Sequence, residues 1–405
     1  MTFEAEPILP VGPTRHWHAA LRRRGFPAYL VAAGGSAAGW NMGAVIFAWV
    51  ALVVTTDPLS VGLVFAVRFL MLLVLGIPAG VLADRVDRRR LFQASALGGA
   101  AVAGGLALLA MSSGGALPLW ALVVGSMLLG ALDSTRIAAS QAFAFDLVGV
   151  ALATTGLALG NVSALVGSVL GSLVAGTVLD QLGLAPAFLV MAVVQVGVAI
   201  ALAGARPQEA RAPRPRTSKA SGLRESLTLL QRDRLLRLLA FVVIVVEVLG
   251  FSCATLIPVF TRDVFGAGPD AYGTMNAIRA LGGVLALILV VRFGARAGTG
   301  LALLGASLLF GVGLVGFALS PGFAAAIVPM LLVGAAGAAT DSLSQALIQH
   351  AVTDAERGAA VGVWAFGLGF GPLGYVAAGA WRGATARWRP RWRSGWRWLA
   401  SPWPS

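Results

Sequence analysis

The sequence predicts an all-α protein that crosses a membrane many times. Hydrophobic residues make up 58% of the chain and charged residues only 12%, a balance outside the range of soluble domains. The apolar residues are gathered into long runs, and roughly 20 of them in a helix cross the hydrocarbon core of a bilayer. The chain also has 52 glycines, which suit helices that pack closely inside a membrane. We therefore expect spanning helices joined by short polar turns.

Eleven apolar runs are long enough to span a bilayer. They are residues 28–53, 59–82, 91–112, 117–138, 151–178, 184–205, 236–260, 270–292, 298–319, 323–347 and 358–380. The first run follows a polar arm at 1–27 and is too long for the hydrophobic region of a signal peptide. The only cysteine, Cys253, excludes an intrachain disulfide, so helix packing must hold the fold together.

Basic residues predict the orientation of these spans. Nearly all arginines before the end of the eleventh run fall on the side of the N-terminus, and only Arg262 falls on the other side. Short cytoplasmic loops collect Lys and Arg, so we expect a cytoplasmic N-terminus in a bacterial plasma membrane. The net charge of +13 then reflects topology and contact with lipid headgroups. No nucleic-acid partner is predicted.

A polar segment at 206–235, rich in Arg, Pro, Ser and Ala, divides the spans into two groups. We expect a cytoplasmic linker there, between an N-terminal bundle at 28–205 and a C-terminal bundle at 236–380. The two groups match each other when shifted by about 211 positions. The matched positions are Pro58 with Pro269, Arg68 with Arg279, and Asp133-Ser134 with Asp341-Ser342. Two pseudo-symmetric helix bundles with a substrate between them follow from this repeat.

The charged segment GVLADRVDRRRL at Gly80–Leu91 is the most distinctive motif, because six charges separate two long apolar runs. It resembles the signature loop between helices two and three of the major facilitator superfamily. The matching residues are Gly80, Asp84, Arg85, Arg88 and Arg89. With Asp87 in place of the later glycine, it is similar to the branch of macrolide exporters and the enterobactin exporter. The resemblance covers roughly residues 20–380.

This resemblance implies two six-helix bundles, transport by alternating access and a cytoplasmic latch formed by the charged segment. It places Asp84 near the inner ends of the fourth and eleventh helices and pairs Arg88 or Arg89 with an acid on the loop after the fourth. The candidate partners are Arg136 for Asp84, and Asp133 or Asp146 for the arginine. The alternative is that these charges serve only topology.

Glu247 interrupts the apolar run FVVIVVEVLGF in the seventh span. An ion at the centre of a span costs about 2.5 to 3.5 kcal/mol on insertion scales, so this carboxyl should face a cavity or a partner, or hold a proton. Burial favours the neutral form of a carboxyl group. Proton coupling or cation recognition is one interpretation, and a structural carboxyl that is hydrogen-bonded within the bundle is the other.

Arg68 and Arg279 lie about ten residues into the second and eighth spans. Their long side chains either extend to the membrane surface or take part in gating and in binding an anionic or polar substrate. Asn41, beside Trp40, is the main polar residue in the middle of the first span. Related exporters often carry an acid there, so either proton coupling rests on Glu247 or the coupling is of a different kind.

Glycines in two spans resemble, incompletely, a pattern of antiporters. Gly167 and Gly171 keep it in the fifth span, where serines replace its other members, and Gly367, Gly371 and Gly374 are closer to it in the eleventh. Close helix packing explains the same residues. Antiport is therefore one interpretation and packing is the other.

The tail at 381–405 lacks the roughly 20 apolar residues of a twelfth span. It contains six of the 11 tryptophans and six arginines but no acid. A frameshift that removed the twelfth helix explains this composition. The alternative is an interfacial segment with tryptophans at 388, 392 and 396 that binds anionic lipid.

We predict a secondary active transporter that works as a monomer, exporting a hydrophobic or amphiphilic molecule such as a drug or siderophore in exchange for protons. No residue cluster predicts an enzyme, a cofactor or a metal site, since the histidines at 16, 18 and 350 lie at the ends of spans without cysteine partners. The alternative is an inactive, truncated transporter or a membrane scaffold that does not transport.

Overall fold

The computed structural model describes residues 16–149, 152–205, 228–293, 299–353 and 356–386. Every regular element within these ranges is a helix, with the following bounds. The N-terminal half contains α1 (His16–Leu21), α2 (Phe26–Thr55), α3 (Pro58–Arg85), α4 (Arg88–Ser112), α5 (Leu119–Val148), α6 (Ala153–Gln181) and α7 (Leu184–Gly204). The C-terminal half contains α8 (Arg234–Val245), α9 (Cys253–Asp263), α10 (Pro269–Phe293), α11 (Thr299–Leu319), α12 (Phe323–His350), α13 (Arg357–Leu368) and α14 (Gly371–Ala386).

Eleven segments of the described chain are long and apolar enough to cross a membrane, which confirms the predicted number. The helices α2 to α7 and α10 to α12 each supply one segment. The seventh segment is α8 and α9 together with a π-helical turn at Val246–Phe251 that joins them. The eleventh lies within α13 and α14. Most of the predicted linker and tail, residues 206–227 and 387–405, lies outside the described residues.

Aspartates fix the beginnings of several helices. Asp57 accepts a hydrogen bond from the backbone N–H of Leu59 at 2.9 Å, and Pro58 follows it as the first residue of α3. Asp87 caps α4 and Asp233 caps α8 in the same way. Aspartate suits this position because its carboxylate satisfies amide groups that have no partner within the helix. Thr56, with a φ of 55°, closes the turn between α2 and α3.

The charged segment is more helical than the predicted loop. Only Val86 and Asp87 separate α3 from α4, so most of Gly80–Leu91 belongs to the two helices. The helix α5 also continues to Val148, ten residues beyond the predicted end of the fourth span. Asp146 therefore lies in the last turn of α5 and not on a loop. The polar residues of this extension can remain helical because they find partners inside the bundle, as described below.

Glycines bring helices into close contact at equivalent places in the two halves. A Cβ atom added to Gly130 in α5 would overlap the carbonyl group of Arg68 in α3, and one added to Gly334 in α12 would overlap that of Arg279 in α10. The glycines of the partial antiporter pattern also lie at helix contacts. Gly171 of α6 packs against α2, and Gly374 of α14 packs against the π-helical turn.

The two halves meet along two seams. In one seam Gly62 of α3 packs on the backbone of Tyr375 in α14, and in the other Gly273 of α10 packs on the backbone of Ser172 in α6. Gly62 and Gly273 are matched by the sequence repeat. Both contacts lie towards the Thr56 turn, at the opposite end of the molecule from the Val86–Asp87 turn.

Candidate functional site

A buried ion pair lies near the middle of the N-terminal half. Arg68 Nη2 is 2.8 Å from Asp133 Oδ2, and the two side chains are only 5% and 10% exposed. Asp133 Oδ1 also accepts a hydrogen bond from Arg136 Nε at 2.9 Å. The guanidinium carbon of Arg68 lies 3.8 Å from the ring centre of Trp40, within the range of a cation–π contact. The Arg68 side chain thus points into the bundle and does not extend to the surface.

The end of α5 meets the beginning of α4 through a second ion pair. Arg88 Nη1 lies 2.8 Å from Asp146 Oδ1 and 3.2 Å from the carbonyl oxygen of Ala142. Arg89 Nη2 donates to the carbonyl of Ala203 in α7. These contacts tie the charged segment to the N-terminal half.

The structure separates the candidate latch partners into two groups. Asp146 contacts Arg88, whereas Asp133 contacts Arg68 and Arg136 instead of an arginine of the charged segment. Arg136, considered as a partner for Asp84, is held by Asp133. The side chain of Asp84 lies outside the described residues.

Glu247 lies in the π-helical turn of the seventh span and is 7% exposed. A π-helical turn inside an α-helix frequently marks a functional site. Gly371 lies beside it, and a Cβ atom at this glycine would be 3.3 Å from Glu247 Oε2. The charged group that acts electrostatically on Glu247 is Asp341 of α12.

Arg279 lies near the middle of α10, at the position that the repeat matches with Arg68. Its Nε atom is buried without a hydrogen-bond partner. Among the described residues no acid forms an ion pair with it. Its charge acts on Tyr272, Tyr375 and Cys253.

Aromatic rings connect the N-terminal half with the C-terminal half. The ring centre of Tyr375 in α14 lies 5.6 Å from that of Phe65 and 5.1 Å from that of Phe69, both in α3. Phe69 in turn contacts Trp40 edge to face. On the other seam, Tyr272 stacks on Trp49 of α2 with ring centres 6.1 Å apart.

Sequence reasoning missed this aromatic set, although two of the only three tyrosines belong to it. Tyrosine is rare in such an apolar chain, and that rarity was the available signal. Asn41, by contrast, donates to the carbonyl of Ala37 one turn earlier at 3.0 Å. This amide donor is therefore satisfied within its own helix.

Comparisons with known proteins agree with this architecture. The Major Facilitator Superfamily profile matches residues 29–268. Multidrug resistance protein MdtG of Proteus mirabilis is 27% identical over 237 residues, covering 58% of this chain and 56% of that relative. The chain thus spans little more than half the length of this relative. The Staphyloferrin A transporter of Staphylococcus aureus is 22% identical over 326 residues, covering 80% of this chain and 81% of that protein.

A solved structure has the same fold. It is a bacterial homologue of the human lysosomal transporter Spinster in an inward-facing and unoccupied conformation. The TM-score is 0.72 at 16% identity, and the match covers 96% of this chain and 88% of the other. The family profile covers more than half of the chain and the fold matches along nearly all of it. The protein is therefore a multi-pass membrane protein that belongs to the Major Facilitator Superfamily.

Proposed function

We propose that this protein is a secondary active exporter that moves a hydrophobic or amphiphilic small molecule out of the cell in exchange for protons. The observation that carries the proposal is Glu247, a buried carboxyl beside the seam between two helix bundles. The names of the relatives, multidrug resistance proteins and a staphyloferrin A transporter, support a drug or a siderophore as the substrate. A monomer in the bacterial plasma membrane would perform this function.

The contacts between the halves support alternating access. The Gly62 and Gly273 seams lie towards the Thr56 turn. Arg262 at the end of α9 also joins the halves there, because its Nη1 donates to the carbonyl of Leu52 in α2 at 2.8 Å. With the N-terminus in the cytoplasm, the end that carries these contacts is the outer face, as expected of an inward-facing arrangement. Transport then requires these contacts to open while the end with the Val86–Asp87 turn closes.

Glu247 and Asp341 support proton coupling. Glu247 is a buried carboxyl in an apolar bundle and Asp341 acts on it electrostatically. Carboxyl groups in this setting serve as proton relays in membrane transporters. Opening of the halves on alternate sides would connect Glu247 with water on each side in turn. Since the proton enters from one side and leaves on the other, its flow can drive the export of a second molecule.

We expect Glu247→Gln to abolish the response of transport to a pH gradient. Glutamine keeps the shape and the hydrogen-bonding capacity of the side chain but carries no exchangeable charge. In proteoliposomes, a gradient should accelerate the movement of a fluorescent amphiphilic dye severalfold with the wild-type protein and leave the variant unchanged. Asp57→Asn makes the same chemical change at an exposed carboxylate that caps α3; asparagine caps a helix equally well, so this variant should respond like the wild type. Full acceleration in Glu247→Gln would remove this residue from the coupling mechanism.

We also expect Asp84→Asn to slow transport about tenfold without reducing insertion into the membrane. In the family's signature loop this acid belongs to the latch, and loss of one charge at a helix seam shifts a two-state equilibrium. A tenfold change corresponds to about 1.4 kcal/mol. Dye transport and the amount of protein in purified membranes give the two readouts. Wild-type rates in this variant would show that the charges of Gly80–Leu91 serve only topology.

A further inference from the structure

Two arginines at equivalent positions have different partners. Arg68 and Arg279 are related by the sequence repeat, and each has a glycine of a neighbouring helix, Gly130 or Gly334, packed against its carbonyl group. Arg68 forms the 2.8 Å ion pair with Asp133. Arg279 forms no ion pair with any described residue. The backbone arrangement is thus repeated in the C-terminal half, whereas the ion pair is not.

The acid that the repeat matches to the partner of Arg68 does not pair with Arg279. Asp341 is matched with Asp133 in the sequence, but it acts on Glu247 of the π-helical turn. Arg279 acts instead on the side chains of Tyr272, Tyr375 and Cys253. None of these three groups supplies the full negative charge that Asp133 gives to Arg68.

A guanidinium inside a membrane that lacks an acid calls for an anion or water as its partner. Arg279 is half-buried and has no such acid among the described residues. Arg279 Nε is buried and has no hydrogen-bond partner, so this donor is left unsatisfied. Guanidinium groups bind carboxylates and phosphates through two parallel hydrogen bonds. The missing partner therefore has the chemistry of a carboxylate or a related anion.

The surroundings of Arg279 also fit the apolar part of such a molecule. Tyr272 stacks on Trp49, and Tyr375 stacks on Phe65, so both tyrosines lie where the two halves meet. Tyr272 precedes Arg279 by about two turns of α10, so the two side chains share a face of that helix, and the charge of Arg279 also acts on Tyr375. An amphiphile with one anionic group could thus place its charge at the arginine and its aromatic body among these rings.

We propose that Arg279 binds the anionic group of the transported molecule, which takes the place that Asp133 has at Arg68. The substrate is then an amphiphilic anion with an aromatic body. This inference rests on the proposed transport function and specifies the substrate class of that same site.

Two dyes with the same fluorophore and opposite charge test the proposal. Dansylglycine carries a carboxylate and dansylcadaverine an ammonium group, and binding of either is measured by energy transfer from tryptophan to the dansyl group in the purified protein. We expect the wild type to bind dansylglycine at least tenfold more tightly than dansylcadaverine. Arg279→Gln should lose at least tenfold in affinity for dansylglycine, and Arg279→Lys should keep most of it. Arg237→Gln, at an exposed arginine of α8, should bind like the wild type.

A second measurement needs no variant, because Cys253 is the only cysteine and interacts with Arg279. Dansylglycine should slow the alkylation of Cys253 by N-ethylmaleimide, and dansylcadaverine should not. The proposal is overturned if the wild type binds neither dye or prefers the cation, or if Arg279→Gln keeps full affinity. If anion binding at Arg279 fails in this way but the protein still transports dye in response to a pH gradient, the proposed transport function is unaffected. If the protein binds the anion as expected but shows no transport driven by a pH gradient, the proposed transport function is contradicted and the binding proposal is not.

Discussion

Asp133→Ala should lower the free energy of unfolding by about 3 kcal/mol, the lower end of the range for removing one partner of a buried ion pair. The reason is that Arg68, with a side chain only 5% exposed, would lose the carboxylate 2.8 Å away. Arg136 would lose the same acceptor. Thermal unfolding of the purified protein in detergent, followed by tryptophan fluorescence, measures the change.

Asp263→Ala is the matched control for this prediction. Asp263 also pairs with an arginine, Arg262 at 2.7 Å, but its side chain is 35% exposed. Exposed ion pairs contribute at most about 1 kcal/mol, so this variant should unfold almost like the wild type. The double variant Arg68→Met with Asp133→Leu should recover much of the lost stability, because it removes both buried charges. Equal effects of Asp133→Ala and Asp263→Ala would contradict the importance of burial.

Gly62→Leu should reduce transport at least tenfold and favour separation of the halves near the Thr56 turn. Even a Cβ atom at this position would overlap the carbonyl oxygen of Tyr375 in the opposite half. Overpacking of a close contact costs about 1 to 3 kcal/mol, and each 1.4 kcal/mol changes a conformational ratio tenfold. Spin labels at Ser113 and Val264, introduced into a Cys253→Ser background, should show a longer distance between the halves.

Gly105→Leu makes the same substitution where it should have little effect. No atom lies within 4 Å of a Cβ atom built on Gly105, so the larger side chain has space. This variant should transport at the wild-type rate and show the wild-type distance between labels. A normal rate and distance in Gly62→Leu would mean that the α3–α14 seam does not close as the structure shows it.

The number of spans followed from the sequence because hydrophobic length is a local property. Each run could be judged by itself, and the eleven described spans agree with the eleven predicted. The lengths of particular helices did not follow in the same way. The fourth span continues as helix α5 to Val148 because Ser140 and Asp146 contact Tyr29 and Arg88 inside the bundle.

The candidate site was only partly predictable. Glu247, Arg68 and Arg279 are conspicuous in the sequence because a charge in an apolar run is costly and therefore rare. The partners of these residues were not recognisable in the sequence, since ion pairs form between residues that are far apart in the chain. Arg68 and Asp133, for example, are separated by 65 positions. The rotation of each helix about its axis decides which side chains meet. A span that is apolar on every face gives no indication of which face is turned towards the bundle.

The sequence by itself determined a membrane protein of helical spans, an internal repeat and the resemblance carried by Gly80–Leu91. These properties depend on composition, run length and residue spacing, which are defined by the order of residues along the chain. Only the tertiary structure decided that Asp133 neutralises Arg68 while Asp341 acts on Glu247, which leaves Arg279 without an acid among the described residues. The physical reason is that charges separated along the chain interact only when packing brings their helices together in one orientation.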